Sequence, residues 1–271
     1  MQTPYFIDNK FQLFAGDCRD FIKHLANVNM VFADPPYFLS NDGLTISNGK
    51  ITSVNKGDWD KLIGNIDDFN FSWLSQVYEC LAPTGTIWIC GTMHNIYSIV
   101  KVLEALHFKI LNTITWQKKN PPPNFSCRCF THSTEFIIWA KKETKKAHYF
   151  NYQLMKKLND NKQMKDVWTF SAIAPWEKIN GKHPTQKPLS ILARAILAST
   201  RKNDIVLDPF CGSSTTGIAA NLFSRNYIGI DIDTNYLEIS KKRFEEMQLS
   251  SENLIRKISG IDISIVSNFD K

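Results

Sequence analysis

Asp34-Pro35-Pro36-Tyr37 directly follows the apolar run Met30-Val31-Phe32-Ala33. The tetrapeptide sets a carboxylate, two rigid backbone carbonyls and an aromatic face at the end of an expected buried strand. Together these groups suit the grip of a flat base that carries an exocyclic amino group. Taken alone, the same residues also suit a turn, because Asp and Pro both favour turns.

A second constellation is Asp208-Pro209-Phe210-Cys211-Gly212-Ser213-Ser214-Thr215-Thr216-Gly217, which follows Ile205-Val206-Leu207 and opens a helical pattern. Small residues there let a ligand approach the backbone closely. Asp231 ends the next apolar run, and in dinucleotide folds an acid about 20 residues beyond the turn binds ribose hydroxyls. The layout predicts a nucleoside-containing cofactor. G-x-G-x-x-G is absent, which disfavours a dinucleotide, and no G-K-[ST] is present, which disfavours a phosphate-cradling loop. Asp208 would repel phosphate and attract a cation. A cationic, phosphate-free nucleoside such as S-adenosylmethionine fits best.

The elements that must hold these residues alternate between strand and helix. Strands are expected at 11–14, 30–33, 86–90, 110–116, 136–140, 205–207 and 227–230. Helices are expected at 18–26 with Asp17 as cap, and at 68–81, 95–106, 189–200, 215–222 and 234–248. Pro83-Thr84-Gly85 reads as a turn, and Ile110, Asn112, Ile114 and Trp116 as one strand face. Residues 38–58 read as a long polar loop and 141–185 as irregular, while 250–271 has no clear assignment. Buried apolar strands alternating with helices argue an α/β protein with a mainly parallel central sheet and helices on both faces. Two adjacent Asp-Pro strands would place both constellations beside one crevice.

The chain has 271 residues, enough for one large domain, and a formal charge of +6. Residues 118–165 hold eleven Lys/Arg against three acids, a net +8 that leaves the rest of the chain slightly acidic. One basic segment on a nearly neutral body suits a polyanion partner, and equally a solvated lysine-rich surface. The six cysteines are scattered and imply no disulfide framework. Cys127, Cys129 and His132 fit no common zinc spacing, so no metal is expected. No apolar stretch approaches the roughly 20 residues of a membrane span, and the N-terminus lacks a signal-peptide layout, so a cytoplasmic location is expected.

In combination and order, these motifs resemble the β group of DNA amino-methyltransferases, in which the catalytic motif precedes the cofactor motif. Residues 34–37 match the D-P-P-Y motif, 205–217 the D-P-F-x-G-S-G-T-T cofactor motif, and 227–231 the ribose-binding strand that follows it. His183-Pro184-Thr185-Gln186-Lys187-Pro188 matches the segment before the cofactor strand, and Gly16-Asp17-Cys18 the acidic position near the adenine of the cofactor. Ser214 departs from the pattern, which has Gly there. If that position requires positive φ, Ser costs about 1 kcal/mol of strain and weakens cofactor affinity.

The resemblance implies a Rossmann-like, S-adenosylmethionine-dependent methyltransferase fold with circularly permuted motif order. Residues 1–248 would form one catalytic domain, with DNA-contacting regions inserted at 38–58 and 118–185 and a tail of unassigned role at 249–271. It implies Asp34, Pro35, Pro36 and Tyr37 as catalytic. It implies Asp17, Cys18, Asp34, His183, Thr185, Lys187, Asp208, Pro209, Phe210, Cys211, Gly212, Ser213, Ser214, Thr215, Asp231 and Ile232 as cofactor-binding, with Lys187 meeting the methionine carboxylate. Lys118, Asn120, Asn124, Arg128, Lys141 and Lys142 are the candidate DNA contacts. Phe125 and Trp168 read as core.

Segments 37–41, 56–60, 94–98 and 130–135 are further similar to the second methyltransferases of DpnII-type restriction systems. That similarity implies adenine N6 in GATC, activity on single-stranded DNA and a cognate restriction endonuclease; the wider family resemblance implies, more loosely, a homodimer. Rival readings are N4-cytosine or RNA methylation with the same chemistry, a non-catalytic nucleic-acid-binding relic, and a nicotinamide oxidoreductase. Asp at position 34 favours adenine, since cytosine enzymes of this kind often carry Ser there.

Overall fold

The computed structural model describes residues 3–38, 44–47, 50–53, 64–124, 127–142, 144–181 and 183–270. Two short apolar runs form its centre. Val28–Ala33 (β3) and Ile205–Asp208 (β10) lie side by side and parallel, and both are buried almost throughout. Continuous apolar runs suit strands covered on both faces.

Around them extends a nine-stranded sheet in the order β1-β2-β11-β10-β3-β6-β8-β7-β9. Its other strands are β1 (Phe6–Asp8), β2 (Phe11–Ala15), β6 (Leu81–Gly91), β7 (Phe108–Lys118), β8 (Thr134–Lys142), β9 (Val167–Phe170) and β11 (Asn226–Asp231). β2, β11, β10, β3 and β6 are mutually parallel, whereas β8 runs against both β6 and β7. A separate hairpin pairs β4 (Leu44–Ser47) with β5 (Lys50–Ser53), inside the stretch expected to be loop.

Helices cover both faces, as the strand–helix alternation predicted. On one face α1 (Cys18–Ile22), α2 (Ile66–Cys80) and α3 (Ile96–Ala105) bury Trp73, Leu74, Ile99 and Leu103 against Val31, Ile87 and Ile89. On the other face, α5 (Leu189–Ser199), α6 (Thr215–Leu222) and α7 (Thr234–Lys257) pack Leu192, Ile196, Ile218 and Phe244 onto Phe11, Met30 and Val206.

Several boundaries differ from expectation, each for a local reason. Helix α1 stops at Ile22, well short of residue 26, and the chain then turns through a left-handed Asn27. Residues 83–85 form no free turn; they ride inside β6 where its pairing with β3 shifts register. Gly85 passes so close to β3 that a Cβ there would stand 2.8 Å from the Val28 carbonyl. In β7 a register shift between Ile110 and Asn112 sends Ile110 to one face of the sheet and Ile114 and Trp116 to the other, so they share no single face.

The stretch 141–185 contains α4 (Tyr152–Lys157), the edge strand β9 and a 3₁₀ turn at Pro175–Lys178. Trp168 is core, as expected, whereas Phe125 lies outside the described residues. Helix α7 continues nine residues past 248 with a break at Ser250. The last helix, α8 (Ile263–Phe269), packs back on α4. Asp270 then pairs with Arg225 in the interior, so the tail belongs to the body. Among the described residues, no helix is long and apolar enough to cross a membrane.

Candidate active site

β3 and β10 meet where the chain's winding reverses, since β10 leads outward to β11 and β3 leads the other way to β6. In open α/β sheets ligands bind beyond the carboxyl ends of strands at such a point. Leu207 stands beside Val31, so Asp34 and Asp208 leave the sheet as neighbours. A crevice of ≈ 1160 Å³, counted to its open mouth, opens there. Every catalytic or cofactor residue named from the sequence lines it except Ser214.

At the catalytic end Asp34 is held from two sides. The Tyr37 hydroxyl donates to Oδ1 at 2.7 Å and the Lys187 ammonium to Oδ2 at 2.6 Å. Tyr37 is buried. Desolvation, then the charge of Asp34, keeps its hydroxyl protonated well above the ordinary phenol range, so it acts as a donor. Lys187 is buried too. Burial disfavours its ammonium, but Asp34 and then Glu135 more than offset this and raise its pKa. Lys187, expected to meet a carboxylate of the cofactor, thus finds carboxylates inside the protein, and its nitrogen lies 5.4 Å from the centre of the Tyr37 ring.

The cofactor end is built by backbone donors facing two acids. Asp231, closing β11, accepts from Gly212 N–H at 2.7 Å and Asp233 N–H at 2.9 Å. Asp208 accepts from Phe210 N–H at 3.1 Å and from the Thr216 hydroxyl at 2.5 Å. Burial pushes Asp208 up to about 7 and Asp231 up to about 6. Among the described residues no cationic side chain forms an ion pair with either acid, and a positively charged ligand would relieve the cost of their burial. Gly212 has φ +48, and a Cβ there would stand 3.2 Å from the His183 ring, so the glycine keeps the crevice floor clear.

His183 packs edge-on against Tyr236 at 4.3 Å, and its Nδ1 accepts from Thr185 N–H. Phe210 packs edge-on against Trp73 at 5.2 Å, with Pro209 and the buried Cys211 completing that wall. Asp17 caps α1 through Arg19 N–H at 2.9 Å. The Arg19 guanidinium holds its carboxyl below the usual range. Cys18 beside it is buried, and the exposed Ile232 stands at the rim.

Ser214 is in the left-handed region, at φ 53 and ψ 42, as a Gly-preferring position requires. Its side chain faces away from the crevice and accepts a hydrogen bond from the Tyr227 hydroxyl at 3.2 Å. Four groups escaped sequence reasoning. Arg243, from α7, is buried and donates to the Ser213 carbonyl at 2.5 Å and to the Ser213 and Thr215 hydroxyls at 3.0 Å each. Burial lowers its pKa to about 10. Gln186 accepts from the Ser213 hydroxyl, Tyr236 covers His183, and Glu135 approaches Lys187. Glu135 and Gln186 had a signal in the sequence, since they lie in the family-like segments 130–135 and 183–188; Arg243 and Tyr236 had none.

The candidate DNA contacts divide. Lys118 pairs with Glu135 at 2.6 Å, and exposed Lys119 and Arg128 follow in the β7–β8 connection, at the carboxyl end of β3 and β6 where the crevice opens. Asn120 accepts from Ala172 N–H, and Asn124 bonds to Cys129 Sγ. Lys141 and Lys142 belong elsewhere. Lys141 pairs with Thr86 in the sheet, three residues below the level of Ala33, or about 10 Å along the strands. Its ammonium donates to the Thr144 and Lys146 carbonyls, and Lys142 lies over the Tyr78 ring. Both are turned from the crevice because β8 runs opposite to β6. In the region 38–58, the segments 39–41 and 56–58 lie outside the described residues, as do residues 59 and 60.

A family model described as DNA methylase matches residues 28–242. The chain is 57% identical over 250 residues to the type II methyltransferase M2.MboI of Moraxella bovis, covering 90% of this chain and 92% of that one. It is 54% identical to M2.DpnII of Streptococcus pneumoniae, covering 90% and 93%. Among solved structures, the M1.HpyAVI complex with S-adenosylmethionine superposes with a TM-score of 0.64 at 30% identity, covering 86% of this chain and 98% of that one.

Proposed function

Because this chain belongs to the DNA methylase family and is a site-specific, S-adenosylmethionine-dependent DNA methyltransferase, we propose that it methylates N6 of adenine within GATC, on single strands as well as duplexes. One observation carries the choice of amine chemistry. Asp34 leaves β3 beside the acid-lined floor, with two proline-flanked carbonyls following it and Tyr37 holding its Oδ1. The sequence GATC rests on the similarity to the second methyltransferases of DpnII-type systems. The same similarity supports a cognate endonuclease as functional counterpart, and the family resemblance supports a homodimer, which sedimentation at working concentration would test.

The crevice residues fit the cofactor. Gly212 leaves room, Asp231 ends β11 where ribose hydroxyls would be bound, and Asp17 and Ile232 stand at its edge for the adenine. When bound, S-adenosylmethionine supplies a methyl group already activated on a sulfonium. Asp208 and Asp231 provide negative charge in a dry wall, and Arg243 fixes Ser213 and Thr215. His183 and Tyr236 shield the Gly212 side of the crevice.

An adenine amine is a weak nucleophile because its lone pair is delocalised into the ring. The base must first leave the stack or arrive unpaired. Asp34 and the Pro35 carbonyl accept the two N–H hydrogens, which favours a pyramidal nitrogen with its lone pair directed at the methyl group. As the nitrogen–carbon bond forms at the expense of the methyl–sulfur bond, Asp34 stabilises positive charge on nitrogen, an electrostatic role; one N–H proton is then lost to solvent, leaving the neutral methylated amine. Tyr37 and Pro36 form the wall against the base, and holding both reactants in line supplies much of the remaining acceleration. Lys118, Lys119 and Arg128 supply phosphate contacts; Lys141 and Lys142 are not part of that surface.

The test is transfer of labelled methyl groups to duplex and single-stranded oligonucleotides with and without GATC, followed by digestion to nucleosides. N6-methyladenine confined to GATC substrates is expected. N4-methylcytosine as the sole product would overturn the adenine reading, and equal transfer to oligonucleotides lacking GATC would overturn the target.

A further inference from the structure

Four charged side chains alternate along one edge of the sheet: Asp34 and Lys118 at the carboxyl ends of β3 and β7, Glu135 at the amino end of β8, and Lys187 just before α5. Lys118 Nζ lies 2.6 Å from Glu135 Oε1, Lys187 Nζ lies 3.7 Å from Glu135 Oε2, and the same Lys187 nitrogen lies 2.6 Å from Asp34 Oδ2. Their side chains are 8–21% exposed, with Lys118 the most open and Lys187 the least. The set is electrically neutral, and its outer member, Lys118, is followed in the β7–β8 connection by the exposed basic residues Lys119 and Arg128.

In this arrangement Lys187 covers an oxygen of Asp34 that the proposed reaction needs. The ammonium cannot simply leave, because an uncompensated charge in so dry a place is heavily penalised. Glu135 offers the alternative, since a movement of roughly 1 Å exchanges the short contact from Asp34 to Glu135 within hydrogen-bond range. Lys118 opposes that exchange by holding the other oxygen of Glu135.

We infer that Glu135 is a positioning residue for methyl transfer: when a DNA phosphate draws Lys118 away, Glu135 takes Lys187 and so uncovers Asp34 for the target amine. DNA engagement and exposure of the catalytic carboxylate are then one event. The inference rests on the reading of Asp34 as the amine acceptor. Glu135 is not in the crevice wall, so the cofactor site does not depend on it.

Single-turnover methylation at saturating DNA, with cofactor affinity measured separately by calorimetry, tests this. Glu135→Gln keeps the shape and removes the charge. It is expected to slow the chemical step on the order of 100-fold, as loss of a positioned electrostatic group does, with cofactor affinity unchanged. Glu135→Asp should recover part of the rate. In a Lys187→Met background, Glu135→Gln should add no further loss, because Glu135 acts through Lys187.

Full-speed Glu135→Gln, loss of cofactor affinity in that variant, or additive loss in the double variant would each overturn the inference. Asp34→Asn serves as the control. If that variant stays active, the function reading itself fails; if it is inactive while Glu135→Gln runs at full speed, only the relay fails.

Discussion

Asp34 and Lys187 are 153 residues apart in the chain and 2.6 Å apart in the fold. One ends the strand that carries the catalytic motif; the other precedes α5, two residues before its first turn. Their contact joins a motif from each half of the sequence. Replacing Asp34 by Asn removes the charge that stabilises the methylated nitrogen while keeping the side chain's shape. Methyl transfer should fall at least about 100-fold, with cofactor and DNA binding retained, as calorimetry and gel shift would show.

Ser214 occupies a left-handed position but bonds to Tyr227, away from the crevice. Substitution by Gly relieves about 1 kcal/mol of backbone strain and gives up a hydrogen bond of similar size. Ser214→Gly should therefore stay within about 1 kcal/mol of the parent in urea unfolding, with cofactor affinity unchanged. Ser214→Ala keeps the strain and loses the bond, so it should be less stable by about 1 kcal/mol. A gain in cofactor affinity on Ser214→Gly would show that the departure from the family pattern does weaken binding.

Asp208 and Asp231 have carboxyls raised by burial to about 7 and about 6. In this range the folded protein binds more protons than the unfolded chain, so the stability of the ligand-free protein falls as pH rises. The loss begins near the ordinary carboxyl range and is complete above about 7. Cofactor binding has the opposite sign. A cation prefers the ionised acids, so affinity should rise as pH climbs from about 6 to about 7, with proton release on binding. Calorimetry in buffers of different ionisation heat measures that release; its absence would refute the assignment of these acids to the cofactor.

Arg225 and Asp270 form a two-pronged pair at 2.5 and 2.6 Å, with side chains 0% and 2% exposed. Arg225 also donates to Thr200, so the last turn of the chain closes onto α5 and the start of β11. Asp270→Ala strands a buried guanidinium and should lower stability by about 3–5 kcal/mol. An unchanged denaturation midpoint would count against the tail as part of the folding unit.

Local pattern alone was enough for the centre of the sheet. Met30 to Ala33 and Ile205 to Leu207 are short and wholly apolar, with β-branched or aromatic residues at Val31, Phe32, Ile205 and Val206, and a strand buried on both faces needs nothing else to be recognised. The Asp-Pro units that end them, the small residues after Asp208 and the acid at 231 declared the crevice chemistry because residue type and order suffice for that. Even the left-handed backbone at 214 could be anticipated from the preference for Gly there.

Other features depended on contacts that spacing does not encode. Ile110 and Trp116 have the spacing of one strand face, yet a bulge at Leu111 divides them between two cores. Lys141 and Lys142 belong to the basic segment, but the reversal of β8 carries them to the far end of the sheet. Glu135 had no role until β8 paired with β7 and set it between Lys118 and Lys187. Asp270, in a tail without periodicity, found its partner only when α8 folded back over α4. The sequence by itself determined which groups carry the chemistry, since that follows from residue type and local order. Tertiary structure decided which charges neutralise one another, because burial and pairing depend on strand direction and on neighbours far away in the chain.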